Sequence, residues 1–191
     1  MELLRTPPPK ERADAARNRA AILDAAASLF AEHGVDAVSM DQVAAAAGVG
    51  KGTLFRRFGD KAGLAAGLLD ARERVLQEGV LQGPPPLGSG ASPADRLAAF
   101  AEAYLDYLLK HLPLVRMSET AAPGARYRIG AYRFWHRHVT MLLDGTPDPE
   151  HTAHALLAPL AAEHVTALLP DLGEDRVRAG VARLWRDAVA K

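Results

Sequence analysis

Apolar positions recur every three or four residues along most of the chain, which is the spacing of one face of an α-helix. The clearest early example lies between Arg12 and His33, where Ala20, Leu23 and Phe30 belong to one apolar stripe. Stretches in which apolar and polar residues alternate, as they do in a half-buried strand, are nearly absent. The pattern therefore predicts an all-α protein of about nine helices.

Proline and glycine clusters divide these helices into groups. Residues 1–11 contain three consecutive prolines and are predicted to form a disordered arm. We expect residues 12–59 to form a three-helix N-terminal domain and residues 60–82 to form a linker helix. The run GPPPLGSGA over residues 83–91 then breaks the helical pattern. From this break onward, residues 83–191 are predicted to form a helical C-terminal domain. Its last three helices are predicted over about residues 126–143, over about residues 149–169 with an interruption at Pro159, and from about Glu174 onward.

The segment from Ser39 to Phe58, SMDQVAAAAGVGKGTLFRRF, carries the most specific pattern in the chain. Ser39 precedes a helical run and Gln42 follows three residues later, which is the arrangement of a capping box. Gly48 interrupts the run where a left-handed backbone is needed, and a second short helix begins at about Gly50. Two short helices joined by a tight turn form a helix-turn-helix, whose second helix enters the major groove of DNA.

Basic and polar side chains on and around this second helix are candidate DNA contacts. Lysine and arginine reach phosphates or guanine edges, while threonine contacts a phosphate or a thymine methyl group. Lys61 stands at a helix start, where a bound phosphate is favoured. The alternative is that the charged residues are ordinary solvated helix residues. The predicted DNA-binding residues are Arg17, Ser39, Gly50, Lys51, Thr53, Phe55, Arg56, Arg57 and Lys61.

Composition limits the class of protein. The 23 basic residues balance the 23 acidic ones, so affinity for nucleic acid must come from a local patch. The absence of cysteine excludes a disulfide scaffold and thiolate metal sites. Neither a bilayer-spanning run nor a signal peptide is visible, so we expect a cytoplasmic protein with no membrane partner. Without a nucleophile elbow or a phosphate loop, the chain is predicted not to be an enzyme and to need no cofactor.

The motifs over about residues 17–70 resemble those of the TetR family of bacterial transcriptional regulators. The first helix ends in Phe-x-x-x-Gly, and Ser-Met-x-x-Val-Ala, Ala-Gly-Val, Lys-Gly-Thr-Leu-Phe and Phe-Gly-Asp-Lys follow at fixed spacing. The resemblance implies a homodimer that represses transcription from a pseudo-palindromic double-stranded DNA operator and is released by a small-molecule effector. Gly50 and Phe55 depart from the serine and tyrosine that the family often carries there. These departures leave open a ligand-binding or protein-interaction module with degenerate DNA recognition. The sequence also does not distinguish an activator from a repressor.

Seven of the eleven aromatic residues lie between Phe100 and Trp135, in the middle of the predicted C-terminal domain. Core packing explains part of this cluster. Together with nearby methionine and histidine, the cluster would also suit an apolar pocket with a few polar anchors for a mostly hydrophobic effector. The predicted pocket residues are Phe100, Tyr104, Tyr107, Met117, Tyr127, Trp135, His136 and Met141.

The last helices are expected to form the dimer interface, as the resemblance implies. The predicted interface residues are Leu156, Leu157, Leu160, Leu168, Leu184 and Trp185. His151 and His154 share a helix face, but the spacing supplies no third ligand, so no metal site is predicted.

Overall fold

The structure is a computed structural model that describes the backbone of residues 10–188 and the side chains of residues 14–188. Residues 1–9 of the predicted arm lie outside this range. Within it there are no strands, which confirms the all-α prediction. The described helices are α1 (Lys10–His33), α2 (Met40–Ala46), α3 (Lys51–Phe58), α4 (Lys61–Gln82), α5 (Pro93–Lys110), α6 (Leu112–Glu119), α7 (Ala125–Arg128), α8 (Gly130–Leu142), α9 (Pro149–Leu157) and α10 (Ala162–Asp187), with a 3-10 turn at Ala158–Leu160.

The structure has ten α-helices over the described range, one more than predicted, because the backbone breaks where the sequence indicated continuous helix. The helix predicted over residues 126–143 is divided into α7 and α8 by Ile129, which has an extended backbone with ψ of 144°. The helix predicted over residues 149–169 is interrupted near Pro159, as expected. There the 3-10 turn ends at Ala161, whose ψ of 135° is also extended.

The last helix, α10, is kinked. Gly173 has φ of 74° and ψ of 161°, so the segment beyond it corresponds to the helix that the sequence predicted to start near Glu174. No single helix in the described part of the chain is long and apolar enough to cross a membrane. Two consecutive segments, Pro149–Leu160 and Ala162–Asp187, reach such a length and apolar composition only when they are counted as one helix. The chain is bent by 49° between them.

Two compact units make up the chain, and they divide between Leu68 and Leu69, within α4. The first unit contains α1 to α3 and the beginning of α4, and the second contains the remaining helices. Apolar residues from all four helices and the α1–α2 loop form the core of the first unit: Ile22, Ala26, Phe30, Val38, Val43, Ala44, Leu54, Leu64, Ala65 and Leu68.

Two glycines allow the start of α4 to approach the end of α3. A Cβ atom at Gly63 would collide with the carbonyl oxygen of Phe58, and one at Gly67 would lie 2.9 Å from the Phe58 ring. Each glycine disfavours a helix interior by about 1 kcal/mol relative to alanine. Tertiary packing against Phe58 therefore holds the first turns of α4, where helix propensity is weak.

The core of the second unit is aromatic and centres on Phe100. The Phe100 ring centroid lies 5.7 Å from that of Trp135, 5.7 Å from that of Trp185 and 5.3 Å from that of His138. All four side chains are buried. Tilted and edge-on contacts at these distances are favourable for aromatic rings. The cluster therefore packs α5, α8 and α10 around one point.

A buried ion pair holds the second unit together at the break before α10. Arg126 donates a hydrogen bond to Glu119 and another, of 2.8 Å, to the carbonyl oxygen of Leu157. The backbone N–H of Ala162 donates to Glu119 at 2.8 Å. Burial raises the pKa of Glu119, and the guanidinium of Arg126 and the Ala162 N–H oppose that rise. Leu157 and Ala162 flank Pro159, which interrupts the helix. The Glu119–Arg126 ion pair therefore provides hydrogen-bond partners for a carbonyl oxygen and an N–H group on either side of this interruption.

We predict that Arg126→Met destabilises the protein by about 3–5 kcal/mol, because it leaves a buried carboxylate without its partner. Urea denaturation measures the loss. The matched control is Arg74→Met, which removes an exposed ion pair with Asp70 and should cost less than about 1 kcal/mol. Equal effects of the two substitutions would contradict the role assigned to the buried pair.

His138 is buried, and its Nε2 atom has no hydrogen-bond partner among the described residues. Burial, and secondarily the nearby charge of Arg96, lowers the pKa of His138 from its usual 6.5 to about 4. As pH falls from 6.5 to 4, the unfolded chain binds a proton at this residue before the folded chain does. The folded state therefore loses stability across this interval.

We predict that the free energy of unfolding of His138→Leu falls by roughly 3 kcal/mol less than that of the wild type between pH 7 and pH 4. The measurement is the free energy of unfolding of the wild type and the variant at several pH values. Other titrating groups affect both proteins alike, so the difference between the two slopes isolates His138. Parallel slopes would count against this assignment.

Candidate nucleic-acid interface

The helix that precedes the turn is capped as the sequence predicts. The backbone N–H of Ser39 donates to Oε1 of Gln42 at 2.8 Å, and the N–H of Gln42 donates to Oγ of Ser39 at 3.2 Å. This is a complete capping box, and it satisfies N–H groups at the start of α2 that have no partner within the helix. Residues three positions apart in the sequence thus set the beginning of α2.

The turn between α2 and α3 is closed by two backbone hydrogen bonds. Gly48 has φ of 64°, in the left-handed region that the sequence predicts for it. The N–H of Gly48 donates to the carbonyl oxygen of Ala45 at 3.2 Å, and the N–H of Val49 donates to that of Ala44 at 3.0 Å. This pair of bonds is a Schellman motif, which ends α2 and turns the chain toward α3.

The exposed face of α3 follows from the residue on its opposite side. Leu54 is fully buried, whereas Gly50, at the start of the helix, contributes no side-chain cap. Gly59 ends the helix with φ of 76°. With Leu54 in the core, the exposed residues of α3 are Lys51, Gly52, Phe55, Arg56 and Arg57, while Thr53 and Phe58 are half-buried. Basic residues thus occupy the exposed surface of the second helix.

Several of the predicted DNA-binding cations already have partners within the first unit. On α3, Lys51 forms an ion pair with Asp41 of α2, and Arg57 donates to the carbonyl oxygen of Ala15 at 2.8 Å. No local sequence pattern indicates the Lys51–Asp41 contact, because the two residues lie ten positions apart on different helices. Both cations remain exposed, and the interactions hold their side chains against neighbouring helices.

The flanking cations behave similarly. Lys61 donates to the carbonyl oxygen of Asp36 at 3.1 Å, and Arg17 forms an exposed ion pair with Asp14 one turn earlier on α1. Ser39, also a predicted contact, is occupied in its capping box. These side chains lie around the helix-turn-helix and are oriented by the protein itself.

Arg56 differs from the other predicted cations. Its side chain is exposed and forms no hydrogen bond or ion pair with any residue in the described part of the chain. Together with Thr53 and Arg57 it lines a shallow depression on α3. Phe55, on the same helix, is 46% exposed although it is aromatic. An unpaired guanidinium beside an exposed ring is suited to contact phosphate or a base edge.

A capped first helix, a glycine-closed turn and an exposed basic second helix define a helix-turn-helix DNA-binding protein. The family model for bacterial regulatory proteins of the tetR family matches residues 22–68, which contain all three features. Over these residues the chain matches the TetR family, as the motifs predicted.

Similar proteins agree with this assignment. An HTH-type transcriptional regulator of Staphylococcus aureus strain USA300 is 47% identical over 53 residues, which are 28% of this chain and 29% of that protein. A TetR regulator from Rhodococcus sp. RHA1 has the same fold, with a TM-score of 0.66 at 20% identity over 96% of this chain and 98% of that one. NalD of Pseudomonas aeruginosa, the secondary repressor of the MexAB-OprM efflux pump, has a TM-score of 0.57 at 23% identity over 91% and 96%. Each of these proteins is described as a transcriptional regulator or repressor, and the chain spans less than a third of the length of the curated relative.

The structure places the predicted pocket residues in different environments. Phe100, Tyr104 and Trp135 pack into the core of the second unit and expose 3% or less of their surface. Tyr107 is half-buried and donates from its hydroxyl to Glu73 at 3.0 Å. Met117 and His136 are also half-buried, whereas Tyr127 and Met141 are exposed. Three of the eight residues thus belong to the packed aromatic core, whereas the other five retain surface outside it.

A cavity of about 580 Å³ lies elsewhere in the second unit, between α5 and the segment of α10 that follows Gly173. None of the predicted pocket residues lines it. Its lining is dominated by small side chains, which carry no sequence signal of a binding site because alanine is common throughout the helices. The lining residues are Pro86, Asp95, Ala98, Ala99, Ala101, Glu102, Leu105, Arg178, Ala179, Val181, Ala182 and Arg186.

The predicted dimer-interface residues differ in how much of their surface is exposed. Four of its members, Leu156, Leu157, Leu160 and Trp185, are buried within the chain's own core and present almost no surface to a partner. Sequence periodicity identified their apolar character but could not separate an intramolecular face from an intermolecular one. Leu168 is half-buried and Leu184 is 42% exposed, so both have surface outside the core.

We predict that Arg56→Ala weakens DNA binding by about 1–3 kcal/mol if Arg56 contacts a base, with a smaller loss on random duplex. Equal losses on both duplexes would identify a phosphate contact. Fluorescence anisotropy with labelled duplexes measures both affinities. The matched control is Arg116→Ala, an exposed arginine of the second unit. If Arg56→Ala binds every duplex as the wild type does, Arg56 does not contact DNA.

Proposed function

We propose that this protein is a homodimeric repressor that binds a pseudo-palindromic operator and is released by a small, mostly hydrophobic effector. The observation that carries the proposal is the exposed basic surface of α3, presented by a completely formed helix-turn-helix. Arg56 has no partner among the described residues, and Lys51 and Arg57 are exposed beside it. A two-fold dimer would place two such helices in successive major grooves about 34–36 Å apart, or at a somewhat larger spacing.

The proposed dimer face is the outer surface of α10. Leu184 is exposed there, and Leu168 is half-buried on the segment before the kink. The two segments border a shallow groove that also contains Pro159, His164 and Gly180. Exposed leucines beside small residues suit close packing against the same surface of a second copy. Such self-complementary contact is what a two-fold homodimer requires.

Effector release follows from linkage between two binding equilibria. A molecule that binds more tightly to the conformation with weak DNA affinity shifts the population toward that conformation. The second unit contains a cavity of about 580 Å³, within the range of small-molecule sites. Repression is favoured over activation because NalD, which shares the fold, is a repressor.

The test is a titration of the purified protein against duplexes that tile the intergenic DNA beside its own gene, with a random duplex as control. Measurements at two salt concentrations separate specific from electrostatic binding, since phosphate contacts make affinity fall steeply with salt. We expect one localised, tight and salt-sensitive site. Uniformly weak binding to every duplex would contradict the operator proposal and favour a ligand-binding module with degenerate DNA recognition.

Leu184→Glu tests the dimer within the same assay. A charge at the proposed two-fold contact would face its own copy, so we predict monomeric protein at micromolar concentration and loss of tight operator binding. Sedimentation velocity measures the oligomeric state. Arg183→Glu, an exposed neighbour that does not line the groove between the α10 segments, is the control. A dimeric Leu184→Glu protein with normal operator affinity would place the interface elsewhere.

A further inference from the structure

The cavity between α5 and α10 has an apolar floor and charged rims. Its floor is formed by small and aliphatic side chains: Ala98, Ala99, Ala101, Leu105, Ala179, Val181 and Ala182. On one rim α5 carries Asp95 and Glu102, and on the other α10 carries Arg178 and Arg186. Acidic and basic groups therefore face each other across the same groove.

Two contacts fix how the helices are aligned along this groove. Arg178 donates to Asp106 at 2.6 Å, and the ring of Trp185 lies 5.7 Å from that of Phe100. Of the two α10 residues, Trp185 is nearer the end of its helix, and its partner Phe100 is nearer the start of α5, so the two helices are antiparallel. Moving seven residues forward along α10 corresponds to moving six residues back along α5.

With this alignment, the charges of the two rims are only partly matched. One turn beyond the Arg178–Asp106 pair, Glu102 lies opposite Ala182. One turn farther, Arg186 lies opposite Ala98. Neither Glu102 nor Arg186 has an ion pair or a hydrogen bond with the residues that the structure describes. The groove therefore presents one free carboxylate and one free guanidinium, each opposite an alanine.

Alanine opposite each charge leaves room for a bound molecule and offers no competing partner. Glu102 and Arg186 stand on opposite rims of the groove and are offset by one turn along the helix axes, about 6 Å. A molecule that contacts both residues must carry one charge of each sign, and an apolar body between the two charges would lie on the alanine floor.

We propose that this groove binds a short zwitterion with an apolar body, such as an apolar dipeptide, with its ammonium group at Glu102 and its carboxylate at Arg186. A carboxylate binds a guanidinium through charge-assisted hydrogen bonds, as does an ammonium group a carboxylate. The identity of this ligand as the effector rests on the proposed function. The site itself does not, since it depends only on the α5–α10 groove.

The test uses L-leucyl-L-phenylalanine as the probe, with its N-acetylated and C-amidated forms, against the full-length protein without DNA. Isothermal titration calorimetry measures the three affinities. We expect the zwitterion to bind at least tenfold more tightly than either modified form, since each modification removes one charge contact. Equal binding of all three forms, or no binding, would overturn the proposal.

Charge-removing variants assign the two contacts. Glu102→Gln should weaken binding of the zwitterion about tenfold while leaving the N-acetylated form unchanged, because that form has no ammonium group to lose. Arg186→Gln should also weaken binding of the zwitterion about tenfold, while leaving binding of the C-amidated form unchanged, because that form has no carboxylate to contact Arg186. Arg183→Gln, outside the groove lining, is the matched control and should leave all three affinities unchanged. The assignment would be refuted if the control lost its preference for the zwitterion, or if the Glu102 and Arg186 variants kept theirs.

Ala182→Trp tests whether the groove itself is the binding site. Ala182 is exposed, so a larger side chain can be accommodated without entering the core, and we expect it to abolish binding of the zwitterion. Circular dichroism confirms folding of the variant. Retained ligand binding, or a change of oligomeric state in place of lost binding, would show that the groove is not a ligand site. Operator binding of the wild type is measured separately, so a negative ligand result leaves the regulator proposal standing.

Discussion

The position of α3 depends on three glycines. At one of them the backbone is left-handed, and at the other two a neighbouring group leaves no room for a Cβ atom. Gly48 turns the chain before α3, while Gly63 and Gly67 admit Phe58 at its end. These constraints involve the backbone and the buried face of the helix. The exposed residues of α3 take no part in them, so the helix can present almost any set of side chains to DNA without losing its position.

The cations around α3 show how such a surface can exist before DNA binds. Lys51 and Arg57 contact groups of neighbouring helices, yet both remain exposed. The exposed Lys51–Asp41 ion pair and the exposed hydrogen bond of Arg57 to a backbone carbonyl oxygen contribute little to stability. Their partners can therefore be exchanged for DNA phosphates at small cost, while their side chains are already held near the surface that DNA would occupy.

In the second unit one ion pair is buried, in contrast to the exposed cations around α3. Glu119 and Arg126 are buried, where a charge is tolerated only with a complete set of partners, and backbone groups beside Pro159 complete that set. The largest aromatic rings are buried against one another in the centre of this unit. Open space remains where α5 and α10 carry alanine, because a methyl group cannot fill the gap between two helices.

The sequence by itself determined the all-α class, the capping box at Ser39, the left-handed turn at Gly48 and hence the helix-turn-helix. These features depend on hydrogen bonds between residues at most five positions apart, so local pattern is sufficient. Only the tertiary structure decided which apolar residues are core and which are surface. Trp185 and Phe100 meet across a separation in sequence that no local pattern spans, and burial depends on such contacts. The alignment of α5 with α10, and the charges it leaves unpaired, was decided in the same way.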